Sequence, residues 1–433
     1  MPRIPLFAAI VLALCVCAFG QNPPAAPLTL TLTDALARAR QYSAQFLSAN
    51  LAAQVAHEDT VQTKAALLPN VNWFSQFIYT EPNGLPSGVF VSNDGPHVYN
   101  NQFITHGDLY APVKLADYRM SRAAEAVARA KADIAARGLV ATVVQNYYAM
   151  VSAARKYANA QLSQREVETF ADITQKLEAG GEVAHSDTVN AQVQLLQRQR
   201  DTQEAQLALD KTRLGFAVLL FPDFRQDFSV VDDLEAVRPL LPLPEIQALA
   251  ARNNPDIRAA QATVEQQTFA IKSARAARLP SLSFDYFYGM NSNDFAFHTR
   301  QNFRNVGAVA QTQLTIPLWT WGAAKSKVRQ AEFRLQQARV DLSVTQRQLL
   351  SNLNAFYLEA DTAALQISSL RRSLDLSGES LRLTLLRYQA GEVSVIEVKD
   401  AQTTLVQARM AYEDGMVRYR LALAALQTIT GVF

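Results

Sequence analysis

Two related strings, one in each half of the chain, limit what this sequence can fold into. Leu177-Glu-Ala-Gly-Gly-Glu-Val-Ala-His-Ser-Asp-Thr-Val-Asn-Ala-Gln192 and Tyr388-Gln-Ala-Gly-Glu-Val-Ser-Val-Ile-Glu-Val-Lys-Asp-Ala-Gln402 share Gly-Glu-Val and Ala-Gln in register. Each interrupts a long helical pattern. No proline occurs from Leu318 to Phe433. Either side of Gly391 the apolar residues recur every seven positions, the period that lets helices supercoil. Ile367, Leu374, Leu381 and Tyr388 mark one seam; Val398, Leu405, Tyr412, Tyr419 and Leu426 mark the other, beside a small-residue row of Ala401, Ala408, Gly415 and Ala422. Gly391 suits the left-handed residue that ends a helix, and Ser394 is placed to cap the next. The pattern predicts a helical hairpin with its tip near 390–397, and its counterpart near 180–187 with Gly181 in the equivalent place.

The repeat extends well beyond the tips. A helical pattern from Thr33, with Thr33 or Asp34 as cap, runs to about Leu67 and ends at Leu68-Pro69; its later copy ends at Leu279-Pro280. The period then changes to two. Leu282, Phe284, Tyr286 and Tyr288 alternate with Ser281, Ser283 and Asp285, a strand with one aromatic and one polar side. In the earlier copy, Phe74 and Ile78 fall on the polar side. Strands are predicted at 71–80, 102–112, 281–290 and 305–317. Pro112 and Pro317 then mark swivels into helices running from Lys114 to about Ala179 and from Ala323 to about Ala390, each on the order of 100 Å at 1.5 Å per residue. Met120, Val127, Ile134, Ala141 and Tyr148 form the expected seam of the first; Ala324, Ala331, Ala338, Val328, Leu335, Leu342, Leu349 and Phe356 form that of the second.

The expected organisation is a signal peptide at 1–20, a loose lead-in at 21–32, a first repeat at 33–221, a connector at 222–243 and a second repeat at 244–433. Arg3, the apolar run from Ile4 to Ala18 and the small residues Ala18 and Gly20 carry the signal reading. Cleavage before Gln21 removes Cys15 and Cys17, both cysteines of the chain. A lipid-bearing Cys15 is the second reading, weakened by the bulk of Leu14. With 49% hydrophobic and 18% charged residues the 433-residue chain is a folded protein, and a formal charge of +2 without a basic, aromatic-rich run gives no support for nucleic acid as partner. No H-E-x-x-H, G-x-S-x-G or P-loop spacing supports an enzyme or a cofactor. The acids Asp232-Asp233 read as solvated loop within a connector packed on the helices. After residue 20 no apolar run is long enough for a transmembrane helix, which leaves membrane strands open.

Four short strands cannot close a membrane barrel, and bare sheet edges are not tolerated in lipid. In a membrane the strands must be pooled: three chains supply twelve, aromatic faces to lipid and polar faces to water, with the helices continuing as a tube. The fold class expected is mainly α with a small β part. A soluble exported coiled-coil scaffold or adaptor is the alternative, opposed by the aromatic alternation after Pro280.

In this order of elements, in Ile316-Pro-Leu-Trp-Thr-Trp-Gly322 and in the Tyr388–Gln402 apex, the sequence resembles the TolC-type outer-membrane efflux family. The resemblance implies a homotrimeric channel with its barrel in outer-membrane lipid and its helical tube in the periplasm, docking a periplasmic adaptor and an inner-membrane transporter at the tips, where Gly181, Gly391, Val393 and Ser394 lie. It maps the acidic entrance onto Glu397 and Asp400, which as residues alone read as the polar face and cap of a helix start. It also implies a closed-state latch in which Tyr388 meets Ser186 and Asp187. The family's Arg position holds Val393, so that link is absent and the latch must differ. Tyr388 reads equally as a heptad core residue.

Overall fold

A computed structural model describes residues 28–79, 97–235, 239–299 and 301–431. The signal and cysteine readings, most of the lead-in and most of the loop after Tyr79 lie outside the described residues. Along the chain run β1 (Leu28–Leu30), α1 (Leu32–Tyr42), α2 (Ala44–Ala65), β2 (Asn70–Tyr79), β3 (His97–Tyr110), α3 (Pro112–Ala179), α4 (His185–Leu220), β4 (Phe228–Val230), α5 (Leu243–Asn253), α6 (Pro255–Ala276), β5 (Ser281–Ser292), β6 (Val306–Thr315), α7 (Ala323–Gln389) and α8 (Val395–Thr430). The fold is mainly helical with a small β part. Two compact units divide it across the sequence repeats: one takes residues up to Ser43, Ala141–Leu240 and Glu359–Ala424, the other Ala44–Val140, Leu241–Leu358 and residues from Ala425.

The helix expected from Thr33 to Leu67 is two helices. Thr31, not Thr33 or Asp34, is the cap: its hydroxyl accepts from the Asp34 N–H while the Asp34 carboxylate accepts from the Thr31 N–H, a reciprocal capping box. The chain turns extended at Ser43 and restarts at Ala44. The later repeat breaks at the matching place. There the cause is written in the sequence, since Pro255 disfavours the helical conformation at Asn254 and the Asn254 side chain caps α6 through the N–H groups of Asp256 and Ile257.

In the first unit, β1 and β4 pair in parallel over three residues, too few for a period to announce. The connector is anchored there, and β1 itself lies in the lead-in expected to be loose. Tyr147 of α3 donates to the Val231 carbonyl at 2.5 Å, and its ring meets Phe216 edge-on. Arg155 bonds Asp232 at 2.9 Å, and Tyr148 donates to Asp233 at 3.3 Å. The Asp232-Asp233 pair is thus a docking element rather than solvated loop. Burial is the main cause that raises the Tyr147 hydroxyl well above its ordinary pKa, so it stays neutral and keeps donating.

In the second unit, one antiparallel sheet has the order β2-β3-β5-β6. The registers Trp73↔Phe103, Phe103↔Tyr288 and Tyr288↔Ala308 put one row on one face; Asn70↔His106, His106↔Asp285 and Asp285↔Gln311 put another on the opposite face. Aromatic packing fixes the first face: Trp73 meets Phe103 at 4.6 Å and Phe77 meets Tyr99 at 5.0 Å between ring centroids. Trp73 is still 58% exposed. Phe74 and Ile78 share the face of Gln76 and Gln102, the irregularity the sequence showed.

Ala141, expected in the α3 seam, is exposed, while Val143, Val144 and Tyr147 are buried. Tyr148, the next residue of the expected seam, is buried again, so the seven-residue step fails at one position.

Candidate functional site: the paired hairpin tips

Both tips close with the same backbone device. At the second, the Glu392 N–H bonds the Arg387 carbonyl at 2.9 Å and the Gly391 N–H bonds the Tyr388 carbonyl at 3.0 Å; at the first, Glu182 bonds Leu177 at 2.8 Å and Gly181 bonds Glu178 at 2.9 Å. Gly391 and Gly181 have φ of 74° and 75°, the left-handed residue this paired-bond cap requires. Val393 and Val183, two positions on, turn back against a shared apolar cluster.

That cluster lies in the first unit and draws on four helices: Phe170 and Ala171 from α3, Ala191 from α4, Leu381 and Tyr388 from α7, Val398 and Leu405 from α8 with Val395 at its start. Tyr388 is 3% exposed. Its ring lies 5.2 Å from that of Phe170, and its hydroxyl donates at 3.4 Å to the Thr174 hydroxyl, which donates to the Phe170 carbonyl at 2.9 Å. Burial raises the phenol above its ordinary pKa; the Thr174 bond opposes this and the charge of Asp187 adds to it. Of the two readings open for Tyr388, the single chain displays the core one. Ser186 is exposed, Asp187 is half-buried, and the tyrosine's partner is Thr174.

Glu397 and Asp400 are both exposed on the first turns of α8. The bonds at Ser394 run through its backbone: its N–H lies 3.5 Å from Glu397 Oε1, and its carbonyl accepts from the Glu397 N–H at 3.1 Å. Glu397 therefore also supports its own helix start, where a negative charge is favoured. At the first tip His185 opens α4 and bonds Glu178 at 2.6 Å. Of the swivel prolines, Pro112 is the first residue of α3, whereas Pro317 sits in an irregular stretch before α7 that includes Trp321 and Gly322 at φ of 51° and 82°.

Two polar links between hairpins escaped the sequence reading. Gln194 donates to Gln402 at 2.6 Å, both buried, leaving Gln402 Nε2 without a partner. Arg409 grips Glu166 through two bonds of 2.8 and 3.1 Å. The signal was present: Gln402 stands four residues after Val398 and three before Leu405, a core position of the heptad, where a polar residue fixes register. Among the described residues no group of His, Cys, Asp or Glu is placed to hold a metal ion.

The family model described as outer membrane efflux protein matches residues 247–432. The chain is 26% identical over 184 residues to the outer membrane protein TolC of Vibrio cholerae, covering 42% of each. It is 23% identical over 304 residues to the alkaline protease secretion protein AprF of Pseudomonas aeruginosa, covering 68% of this chain and 61% of that one. The matches thus span less than two thirds of these two relatives. In fold, the chain is similar to the CmeC outer membrane channel of Campylobacter jejuni, with a TM-score of 0.81 over 92% of this chain and 85% of that one at 17% identity.

Proposed function

From the match of residues 247–432 to the outer membrane efflux protein family, we propose that this protein is the outer-membrane channel of a tripartite efflux or secretion system. It is a passive exit duct reaching from the outer membrane through the periplasm, without covalent chemistry of its own. A periplasmic adaptor and an inner-membrane transporter open it at the hairpin tips. Residues 1–20 act as its export signal, and the repeats at 33–221 and 244–433 each give two strands and one hairpin.

The observation that carries this reading is the sheet with two bare edges. Because each neighbour in β2-β3-β5-β6 is antiparallel, β2 and β6 run in opposite directions. The β6 edge of one copy can therefore pair antiparallel with the β2 edge of the next, and three copies close a twelve-stranded cylinder with no edge left for lipid. The aromatic face turns to lipid and the Asn, Gln, His and Asp face lines the lumen. Apolar side chains left exposed by one chain, Val193, Leu196 and Val218 on α4 and Leu358, Leu365 and Leu376 on α7, are then available to contacts between copies.

Glu397 and Asp400, three of each, ring the entrance and favour cations. The test is planar-bilayer recording on the detergent-solubilised protein together with its mass in solution. Trimers that conduct cations in preference to anions are expected, with the preference reduced in Glu397→Gln/Asp400→Asn. A water-soluble monomer after signal removal overturns the reading.

A further inference from the structure

A second charged set lies in the sheet. His106 of β3 stands directly opposite Asp285 of β5, and its Nδ1–H donates to Asp285 Oδ1 at 2.6 Å. Its other nitrogen, Nε2, lies 4.0 Å from Asp108 Oδ1, and the second oxygen of Asp108 is bound by Lys114 of α3. The remaining cross-strand neighbours of this row are uncharged: Asn70 of β2 opposite His106, and Gln311 of β6 opposite Asp285. Asp285 and Asp108 are only 15% and 16% exposed at the side chain, and His106 is 38% exposed. The imidazole is thus held in place by Asp285, with Asp108 near its other nitrogen, while part of it stays open to solvent.

We propose that His106, with Asp285, Asp108 and Lys114, forms a proton-titrated charge ring at the foot of the barrel that sets its cation preference. This rests on the channel reading, which turns this face of the sheet to the lumen. With His106 neutral, each chain contributes two negative charges and one positive, a net −1; with His106 protonated the contribution is zero. Three chains therefore carry −3 or 0 at one level of the lumen. Histidine is the side chain whose charge changes between pH 5 and 8. A fixed charge acts over about one Debye length, about 10 Å at 0.1 M salt and about 30 Å at 0.01 M, so the ring governs a wide lumen only in dilute salt.

The other described histidines sit elsewhere. His97 lies on the aromatic face, opposite Tyr79; His57 pairs with Glu125; His298 bridges to Arg304. His185 at the first tip is the one to control for, together with the tip acids.

The experiment measures reversal potentials in a dilute salt gradient from pH 8 to pH 5, using the full-length Glu397→Gln/Asp400→Asn/His185→Gln protein as the background. The cation-to-anion permeability ratio is expected to fall by about twofold or more across that range and to lose this dependence in 1 M salt. Adding His106→Gln, whose amide can still donate to Asp285, should abolish the pH step and retain cation preference. Adding Asp285→Asn should keep the step but displace the whole curve toward anions, since the ring then runs from 0 to +3. Conducting channels whose pH profile is unchanged by His106→Gln overturn the ring and leave the channel reading standing. Absence of conductance in the unmodified protein overturns both.

Discussion

The two hairpin tips share a backbone and differ in nearly everything hung on it. Gly181 and Gly391 have the same dihedral and the same pair of closing bonds. The residue three places before each glycine, however, is Glu178 in one and Tyr388 in the other. Glu178 is half-buried and bonds the exposed His185, while Tyr388 fills the cluster beneath both tips. Duplication has thus kept the turn and specialised the contents: the second tip carries the packing and the first closes over it.

The largest effect should come from emptying that position. Tyr388→Ala removes a buried aromatic side chain, for which losses of about 3–5 kcal/mol are usual, and should lower the thermal midpoint of the solubilised protein clearly. Tyr388→Phe should cost little, because the hydroxyl has one long bond and Thr174 keeps its own acceptor. At the matching place Glu178→Ala should cost far less, since it empties no core position and the His185 that Glu178 bonds is 80% exposed. Equal losses from Tyr388→Ala and Glu178→Ala would break the contrast between the tips.

The shared backbone makes the opposite prediction. Nothing lies within 4 Å of an added Cβ at Gly181 or Gly391, so alanine at either pays only for the left-handed conformation, about 1–2 kcal/mol. Gly181→Ala and Gly391→Ala should therefore destabilise alike. A difference of more than about 1 kcal/mol between them, by calorimetry or hydrogen exchange at the tips, would mean that the turns are not energetically equivalent despite their geometry.

Much of this was legible before any coordinates. The seven-residue step, the glycines and the switch to period two at Pro69 and Pro280 express local rules, so the long helices and the four strands of the sheet could be read from them. What could not be read depends on which side chains meet across helices. Thr174 is an ordinary helical threonine until Tyr388 lies over it, and Gln194 acquires meaning only opposite Gln402. The break at Ser43 has no proline to announce it, unlike the one before Pro255. The anchoring of Asp232 needs Arg155, far away in sequence, to be brought alongside. Glu397 and Asp400 were legible as acids on a helix start, but the ring proposed for them would be a property of three chains.

The smallest expected effect lies further from the tips and is one of pH. Glu413 on α8 corresponds in the repeat to Gln203 on α4. Gln203 is exposed, whereas Glu413 is 7% exposed, accepts a bond from Asn159 and has its second oxygen without a partner. Burial raises the Glu413 carboxyl above its ordinary pKa, opposed by Asn159, Arg155 and Lys156 and assisted by Asp414. A carboxyl raised on folding is easiest to bury when protonated. Its contribution is complete below the ordinary carboxylate range and is lost as pH climbs through the raised value. Glu413→Gln, which gives α8 the side chain α4 already has, keeps the acceptor for Asn159 and removes the ionisation. Its melting temperature should match the parent in acid and exceed it modestly at neutral pH. If the two profiles stay parallel from acid to neutral, Glu413 bears no penalty for its charge, and the difference between the two descending helices at this position is one of shape alone.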